Sequence, residues 1–134
     1  MGAWDSGTFD NDDATDWLYD LEESSDTSVI QAALTAVTDA GDEYLEAPDC
    51  ACALAAAEIV AGLQGQPLDT LPDSAQSWVD AHEGMEVTSL VKPALAAVQR
   101  IRTNSELKEL SDEGKDPAKW YASLDDLTSR LKAR

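Results

Sequence analysis

Hydrophobic residues recur at helical spacing along most of the chain. The last segment shows the pattern most plainly, with intervals of four, three and four positions between Trp120, Leu124, Leu127 and Leu131. Such spacing places the side chains on one face of an α-helix. No strand pattern, in which apolar and polar residues alternate with a period of two, competes with it. The sequence therefore predicts an all-α fold.

Start and stop signals divide the pattern into five to six helices. Pro48 and Pro117 are suited to the first turn of a helix, where the missing N–H costs no hydrogen bond. Asp73 and Asp116 are suited to cap helices, and Gly41 is suited to end one. We expect helices to begin near residues 10, 27, 48, 73, 88 and 117.

The apolar faces of two further helices can be assigned in the same way. The first helix is expected to bury Ala14, Trp17, Leu18 and Leu21. The helix that begins near residue 88 is expected to bury Val91, Leu95, Val98 and Ile101. The residues around Leu107 and Leu110 are expected to form only a small turn.

The segment from about 48 to 63 is apolar nearly all round. A helix without a polar face is typical of a central, buried position. A chain of 134 residues has the usual length of one domain. We therefore expect a single domain over 1–134, an irregular bundle around this central helix, with residues 1–10 lying as an arm on the bundle. Burial of Trp4 and Phe9 would hold the arm in place.

Charge is distributed very unevenly. The formal net charge is −18, and no Lys or Arg occurs before Lys92, whereas 20 of the 27 acidic residues do. Such a surface disfavours the nucleic-acid backbone and anionic membranes, because it offers few cations for phosphate groups. A basic protein partner fits better. Acidity that serves only solubility or salt adaptation is the other interpretation.

Targeting and metal-binding signals are weak. The chain has no apolar run long enough to span a bilayer and no secretory signal pattern, so we expect a cytoplasmic protein. Cys50 and Cys52 with the single His82 make a poor zinc signature, and small core residues are the better interpretation. Asp10-Asn11-Asp12 lacks the Gly and Glu of a calcium loop. We therefore expect neither a metal nor a cofactor.

Glu58 is the most informative single residue. It is a carboxylate within the apolar central helix, and it is the sole charged residue between Asp49 and Asp69. A buried carboxylate is costly unless it is paired or protonated. Arg100, Arg102 and the N-terminal loop are the candidate donors. A structural ion pair is the favoured interpretation, and a functional carboxylate, as metal ligand or general base, is the alternative.

Two segments carry a family resemblance. The opening Met-Gly-Ala-Trp-x-x-Gly-x-Phe-Asp-Asn-Asp-x-Ala-x-Asp-Trp and the stretch Ala-Leu-Ala-Ala-Ala-Glu-Ile-Val-Ala at 53–61 resemble an uncharacterised bacterial family, domain of unknown function 4259. Asp5 stands where that family pattern has a Gly. The resemblance implies a small bacterial cytoplasmic protein, and it implies no activity, substrate or catalytic residue.

Three functional hypotheses remain. A non-enzymatic interaction module would use an acidic face to mask a basic partner such as a toxin; its candidate residues are Asp12, Asp13, Asp16, Asp20, Glu43 and Glu46. A small ligand- or metal-binding protein, or an enzyme, would use Glu58 in a pocket lined by Trp4, Trp17 or Trp78. Self-association through the basic-leaning last helix would give a weak homodimer in place of a monomer. No catalytic motif accompanies these residues, which favours a protein that is not an enzyme.

Overall fold

The computed structural model describes residues 12–41, 43–66, 71–114 and 116–132. Within these ranges the chain forms seven α-helices and no β-strand. The helices are α1 (Asp12–Glu22), α2 (Ser28–Thr38), α3 (Ala47–Leu63), α4 (Asp73–Ala81), α5 (Thr88–Thr103), α6 (Glu106–Asp112) and α7 (Pro117–Lys132). The predicted all-α fold is confirmed. The expected number of five to six helices was too low, because the region expected to be a turn forms α6.

The helix α3 is the centre of the bundle. Every residue from Ala53 to Gly62 is buried, and in the described part of the chain each of the other six helices contacts α3. Half of these ten residues are alanines, whose short side chains allow neighbouring helices to approach closely. The central position predicted for this segment is therefore confirmed. The helix begins at Ala47, one residue before Pro48.

The predicted apolar faces agree closely with burial in α1 and α7, and less closely in α5. In α1 the buried residues are Ala14, Trp17, Leu18 and Leu21, and in α7 they are Trp120, Leu124, Leu127 and Leu131. In α5 the buried face is Leu90, Ala94, Ala97, Val98 and Ile101. Val91 and Leu95, which were expected on this face, are half-buried beside it. The buried residues face α2, α3 and α7, the helices against which α5 packs most closely.

The predicted helix caps had different outcomes. Asp116 accepts a hydrogen bond from the backbone N–H of Lys119 at 3.1 Å, as expected of a cap. Asp73 is the first residue of α4 and not its cap; the cap position is Pro72, which makes no side-chain cap hydrogen bond. The expected arm at 1–10, with Trp4 and Phe9, lies outside the described residues.

A local helix cap and two tertiary hydrogen bonds stabilise α6. The hydroxyl of Ser105 caps this helix by accepting a hydrogen bond from the Lys108 N–H at 3.0 Å. The backbone N–H of Glu106 donates to the carbonyl of Leu45. The carboxylate of Glu106 accepts a hydrogen bond from the Ala47 N–H at 2.7 Å. A carboxylate at this position also satisfies the positive end of α3. The seven residues of α6 are therefore held by contacts with the start of α3.

No helix in the described ranges is both long enough and apolar enough to cross a lipid bilayer.

The tight packing of α3 yields a stability prediction. Replacing Ala56, which is fully buried, by Leu inserts a larger side chain into a filled core, and we expect a loss of about 1–3 kcal/mol of unfolding free energy. The matched control is Ala122→Leu on the exposed side of α7. This substitution should change the unfolding free energy by less than about 0.5 kcal/mol. Urea denaturation of both variants measures the difference. Equal stabilities would show that α3 is not closely packed.

Candidate functional site

Glu58 is buried and paired. Its side chain is 2% exposed, and both of its oxygens accept hydrogen bonds from Arg130 on α7. Nη1 of Arg130 lies 2.8 Å from Oε1, and Nη2 lies 3.1 Å from Oε2. This two-pronged geometry is the strongest arrangement available to an arginine and a carboxylate. The carboxylate therefore joins the central helix to the last helix.

Arg130 makes further contacts that complete the cluster. Its Nε donates to Asp126 at 2.8 Å, and its Nη1 also lies 3.2 Å from the carbonyl of Gln66. Burial raises the pKa of Glu58 above its ordinary value, and the hydrogen bonds and charge of Arg130 offset only part of this effect. For Arg130, burial alone would lower the pKa, but Glu58 and Asp126 outweigh it and raise the pKa.

Two of the three donors predicted for Glu58, Arg100 and Arg102, were wrong. Arg100 donates instead to the backbone carbonyls of Gly41 and Glu43, and thereby holds the link between α2 and α3. Arg102 pairs with Asp125 at 3.0 Å. The N-terminal loop, the third candidate, lies outside the described residues. Arg130 was missed because 72 positions separate it from Glu58, although its place beside the apolar face of α7 was a usable signal.

The carboxylates predicted to form an interaction face occupy two places. On α1, Asp12, Asp16 and Asp20 are exposed and Asp13 is half-buried. Glu43 and Glu46 are exposed in the link before α3. Three of the α1 carboxylates, Asp13, Asp16 and Asp20, act electrostatically on one side chain at the start of α3, the thiol of Cys52, and Asp49 joins them there. Asp49 was not among the predicted residues.

Two of the predicted aromatic candidates, Trp17 and Trp78, are buried and pack within the bundle. Trp78 is buried, its indole N–H donates to the carbonyl of Ser24 at 3.0 Å, and its ring stacks on His82 with centroids 3.9 Å apart. Trp17 is buried in the core and also contributes to the wall of a groove. Trp4 and Phe9 lie outside the described residues. Trp17 thus lines a groove to which Glu58 does not contribute, and Trp78 makes its contacts with Ser24 and His82.

A groove of about 540 Å³ lies between α1 and α2, over the first turns of α3. It forms because α1 and α2 both pack on α3 but contact each other little. Glu58 does not line it. The lining residues are Trp17, Asp20, Glu23, Val29, Ala32, Ala33, Ala36, Asp49 and Cys52. The groove thus combines an apolar surface with three carboxylates.

Cys52 is a half-buried thiol in this groove. Burial, followed by the charges of Asp13, Asp49, Asp20 and Asp16, raises the pKa of Cys52 to about 11. At neutral pH the thiol is therefore protonated, and neither nucleophilic attack nor metal binding is favoured. Within the described ranges no group of three or more His, Cys, Asp or Glu side chains is arranged to hold a metal ion.

The Glu58–Arg130 pair predicts a large, pH-dependent effect. Arg130→Met leaves a buried carboxylate without its partner, and we expect a loss of about 3–5 kcal/mol at neutral pH. Without Arg130 the pKa of Glu58 rises further, so the folded state keeps this proton to a higher pH than the unfolded chain. Stability contributed by a group with a raised acid pKa falls as pH rises, so the loss should shrink toward pH 4.5.

Denaturation of wild type, Arg130→Met and the double variant Glu58→Leu/Arg130→Met between pH 4.5 and 7.5 provides the measurement. The double variant removes both charges and should regain most of the lost free energy. A single variant with full stability at pH 7 would show that the pair does not link α3 to α7.

The carboxylates around Cys52 predict its reactivity. In the double variant Asp20→Asn/Asp49→Asn the pKa of the thiol falls, and its alkylation by iodoacetamide at pH 8 should become about two- to fivefold faster. The control Glu83→Gln/Glu113→Gln makes the same change in net charge at exposed positions elsewhere. Mass spectrometry follows the rate. An unchanged rate would show that these two carboxylates do not raise the pKa of Cys52.

Comparison with known proteins identifies a family. The family model described as Domain of unknown function (DUF4259) matches residues 2–123, which covers α1 to α6 and the first half of α7. No curated protein and no solved structure matches the chain. The matched region contains Glu58 and every described residue of the groove, and it ends before Arg130. The resemblance of the opening motif and of 53–61 is thereby confirmed, and the chain belongs to the DUF4259 family.

Proposed function

We propose that this protein is a non-enzymatic interaction module that binds a basic protein through the carboxylates of α1, and that it masks a basic surface such as that of a nuclease toxin. The main supporting observation is that most of these carboxylates are exposed and that none forms a described ion pair. Asp12, Asp16 and Asp20 are exposed, and none of the four ion pairs found among the described residues involves α1.

Of the seven cations in the described ranges, four bind groups outside α1, namely Arg100, Arg102, Lys108 and Arg130. Arg102, Lys108 and Arg130 form the described ion pairs, and their partners are Asp125, Asp112, Asp126 and Glu58. The first half of the chain has no cation of its own. Crowded carboxylates repel one another and destabilise the folded state. A basic partner relieves this repulsion, which favours fast association that weakens as salt is added.

An exposed aromatic residue lies on the same helix surface. Tyr19 is 62% exposed, one turn after Asp16 and one turn before Glu23. Side chains three or four positions apart are neighbours on a helix, so this ring has a carboxylate on each side. Tyrosine is enriched among residues that dominate binding energy, and its ring face attracts an arginine or lysine cation. Tyr19 would therefore supply apolar contact within an otherwise acidic surface.

The alternative function, ligand or metal binding or catalysis by Glu58, requires a free carboxylate. Both Glu58 oxygens accept hydrogen bonds from Arg130, which favours a structural role. The acidic surface also gives no support to binding of nucleic-acid phosphates or anionic membranes.

The test compares wild type with the triple variant Asp12→Asn/Asp13→Asn/Asp16→Asn as bait in a native lysate. We expect wild type to retain a stoichiometric basic protein at low salt and to release it at about 0.5 M salt, where screening acts within a few ångströms. The triple variant should retain at least about tenfold less, because three attractive charges are lost.

A control variant, Asp39→Asn/Glu83→Gln/Glu113→Gln, changes net charge equally at exposed positions away from α1. Circular dichroism checks that both variants keep their helices. Two results would contradict the proposal: capture of no basic protein by wild type, or equal capture by wild type and the α1 variant.

A further inference from the structure

The groove between α1 and α2 has a wall suited to another helix. Its α2 side consists of Val29, Ala32, Ala33 and Ala36, which recur at intervals of three and four positions. Over these eight residues the wall is about 10 Å long. Alanine side chains end at Cβ, so the backbone of an incoming helix can approach closely and place its own ridge of side chains in the groove. Trp17 forms part of the opposite wall.

The same surface continues over the edge of the groove. Ala32 and Ala36 are exposed, and both also line a second, shallower depression of about 610 Å³ along the outer side of α2. That depression is bordered mainly by Ser28, Gln31 and Thr35, which are small or neutral. The two alanines therefore form a low ridge between two concave surfaces, over which a rigid rod such as an α-helix can lie.

The carboxylates that border the groove favour a positively charged occupant. Asp20 and Glu23 border it on the α1 side, and Asp49 borders it at the start of α3. No lysine or arginine is among its lining residues in the described part of the chain. An occupant that carries cations beside its apolar residues would satisfy both features of the groove.

A second copy of this chain fits poorly as that occupant. Of the cations in the described ranges, Arg100, Arg102, Lys108 and Arg130 already bind groups of their own chain. The others, Lys92, Lys119 and Lys132, are exposed on α5 and α7, whose apolar faces are buried in the bundle. The N-terminal residues 1–11 contain no Lys or Arg and include Asp5 and Asp10, so their charge has the same sign as that of the groove.

We infer that the groove binds a basic amphipathic α-helix of the partner protein. Apolar residues at positions i, i+3 or i+4, and i+7 of this helix would pack against Val29, Ala33 and Ala36. Its lysines or arginines would reach Asp20, Glu23 and Asp49 at the borders. The inference rests on the proposed function, and adds to it that the partner is recognised by its secondary structure as well as by its charge.

A synthetic peptide of about 18 residues, or five helical turns, serves as the probe. It consists of Leu, Ala, Lys and Arg with the apolar residues at helical spacing, and a scrambled peptide of the same composition is the comparison. We expect the patterned peptide to bind at least about tenfold more tightly, which corresponds to roughly 1.4 kcal/mol. Bound helix should also slow the alkylation of Cys52, because this thiol lies in the groove.

The groove itself is tested with Ala32→Gln/Ala36→Gln. Both positions are exposed, and glutamine is a good helix former, so the bundle is preserved while the groove is filled. The matched control is Ala118→Gln/Ala122→Gln, two exposed alanines with the same spacing on α7. The groove variant should lose at least about tenfold in affinity for the patterned peptide, and the control should bind like wild type.

Three binding results would overturn the inference: no binding of the patterned peptide, equal binding of the scrambled peptide, or an undiminished affinity of the groove variant for the patterned peptide. A fourth result would be a dimer in sedimentation that Ala32→Gln/Ala36→Gln dissociates, because the groove would then belong to a second copy of this chain. The proposed function fails separately, through the α1 carboxylate variant. If the α1 carboxylate variant loses the natural partner while the groove variant keeps it, the proposed acidic interaction is supported and the proposed helix-binding site is not.

Discussion

Close packing around α3 is the constraint on which the remaining structure depends. Six helices can contact one helix of 17 residues because its buried side chains are mostly alanine and little space separates the backbones. In such a core a charged side chain needs a partner with good geometry, and Arg130 of α7 supplies it to Glu58. The ion pair consequently sets the position of the last helix against the centre. It is the one described ion pair that joins the two halves of the sequence.

These contacts show how the fold uses the unevenly distributed charges. The cations occur from Lys92 onward, and several of them stabilise the molecule internally. Arg100 holds the link between α2 and α3, and Arg130 holds α3 and α7 together. Asp12, Asp16 and Asp20 of α1 receive no such partner among the described ion pairs and remain exposed. A surface of one sign that the fold does not neutralise is suited to meet the opposite sign on another molecule.

The groove follows from the same architecture. Since α1 and α2 both pack on α3 and contact each other little, the space between them stays open. Short side chains on α2 keep it wide, and carboxylates of α1 and α3 border it. Cys52 shows the effect of this setting on chemistry, because burial and four neighbouring carboxylates raise its pKa to about 11. The thiol of Cys52 is therefore protonated at neutral pH, and the shape and charge of the groove suit it to binding, in agreement with the proposed interaction module.

The sequence by itself determined the fold class, the central helix, the apolar faces of α1 and α7, and the charge asymmetry. Each of these depends on residue type and on spacing of three or four positions, which local helix geometry converts directly into a face. Tertiary structure alone decided the partner of Glu58, the rotation of the α5 face, the contacts that hold α6 on α3 and the groove that includes Asp49. Each of these depends on which residues distant in sequence become neighbours: 72 positions separate Glu58 from Arg130, and 59 separate Ala47 from Glu106. Helical periodicity shows which side of a helix is buried, but only the packing of all the helices decides which side chains meet there.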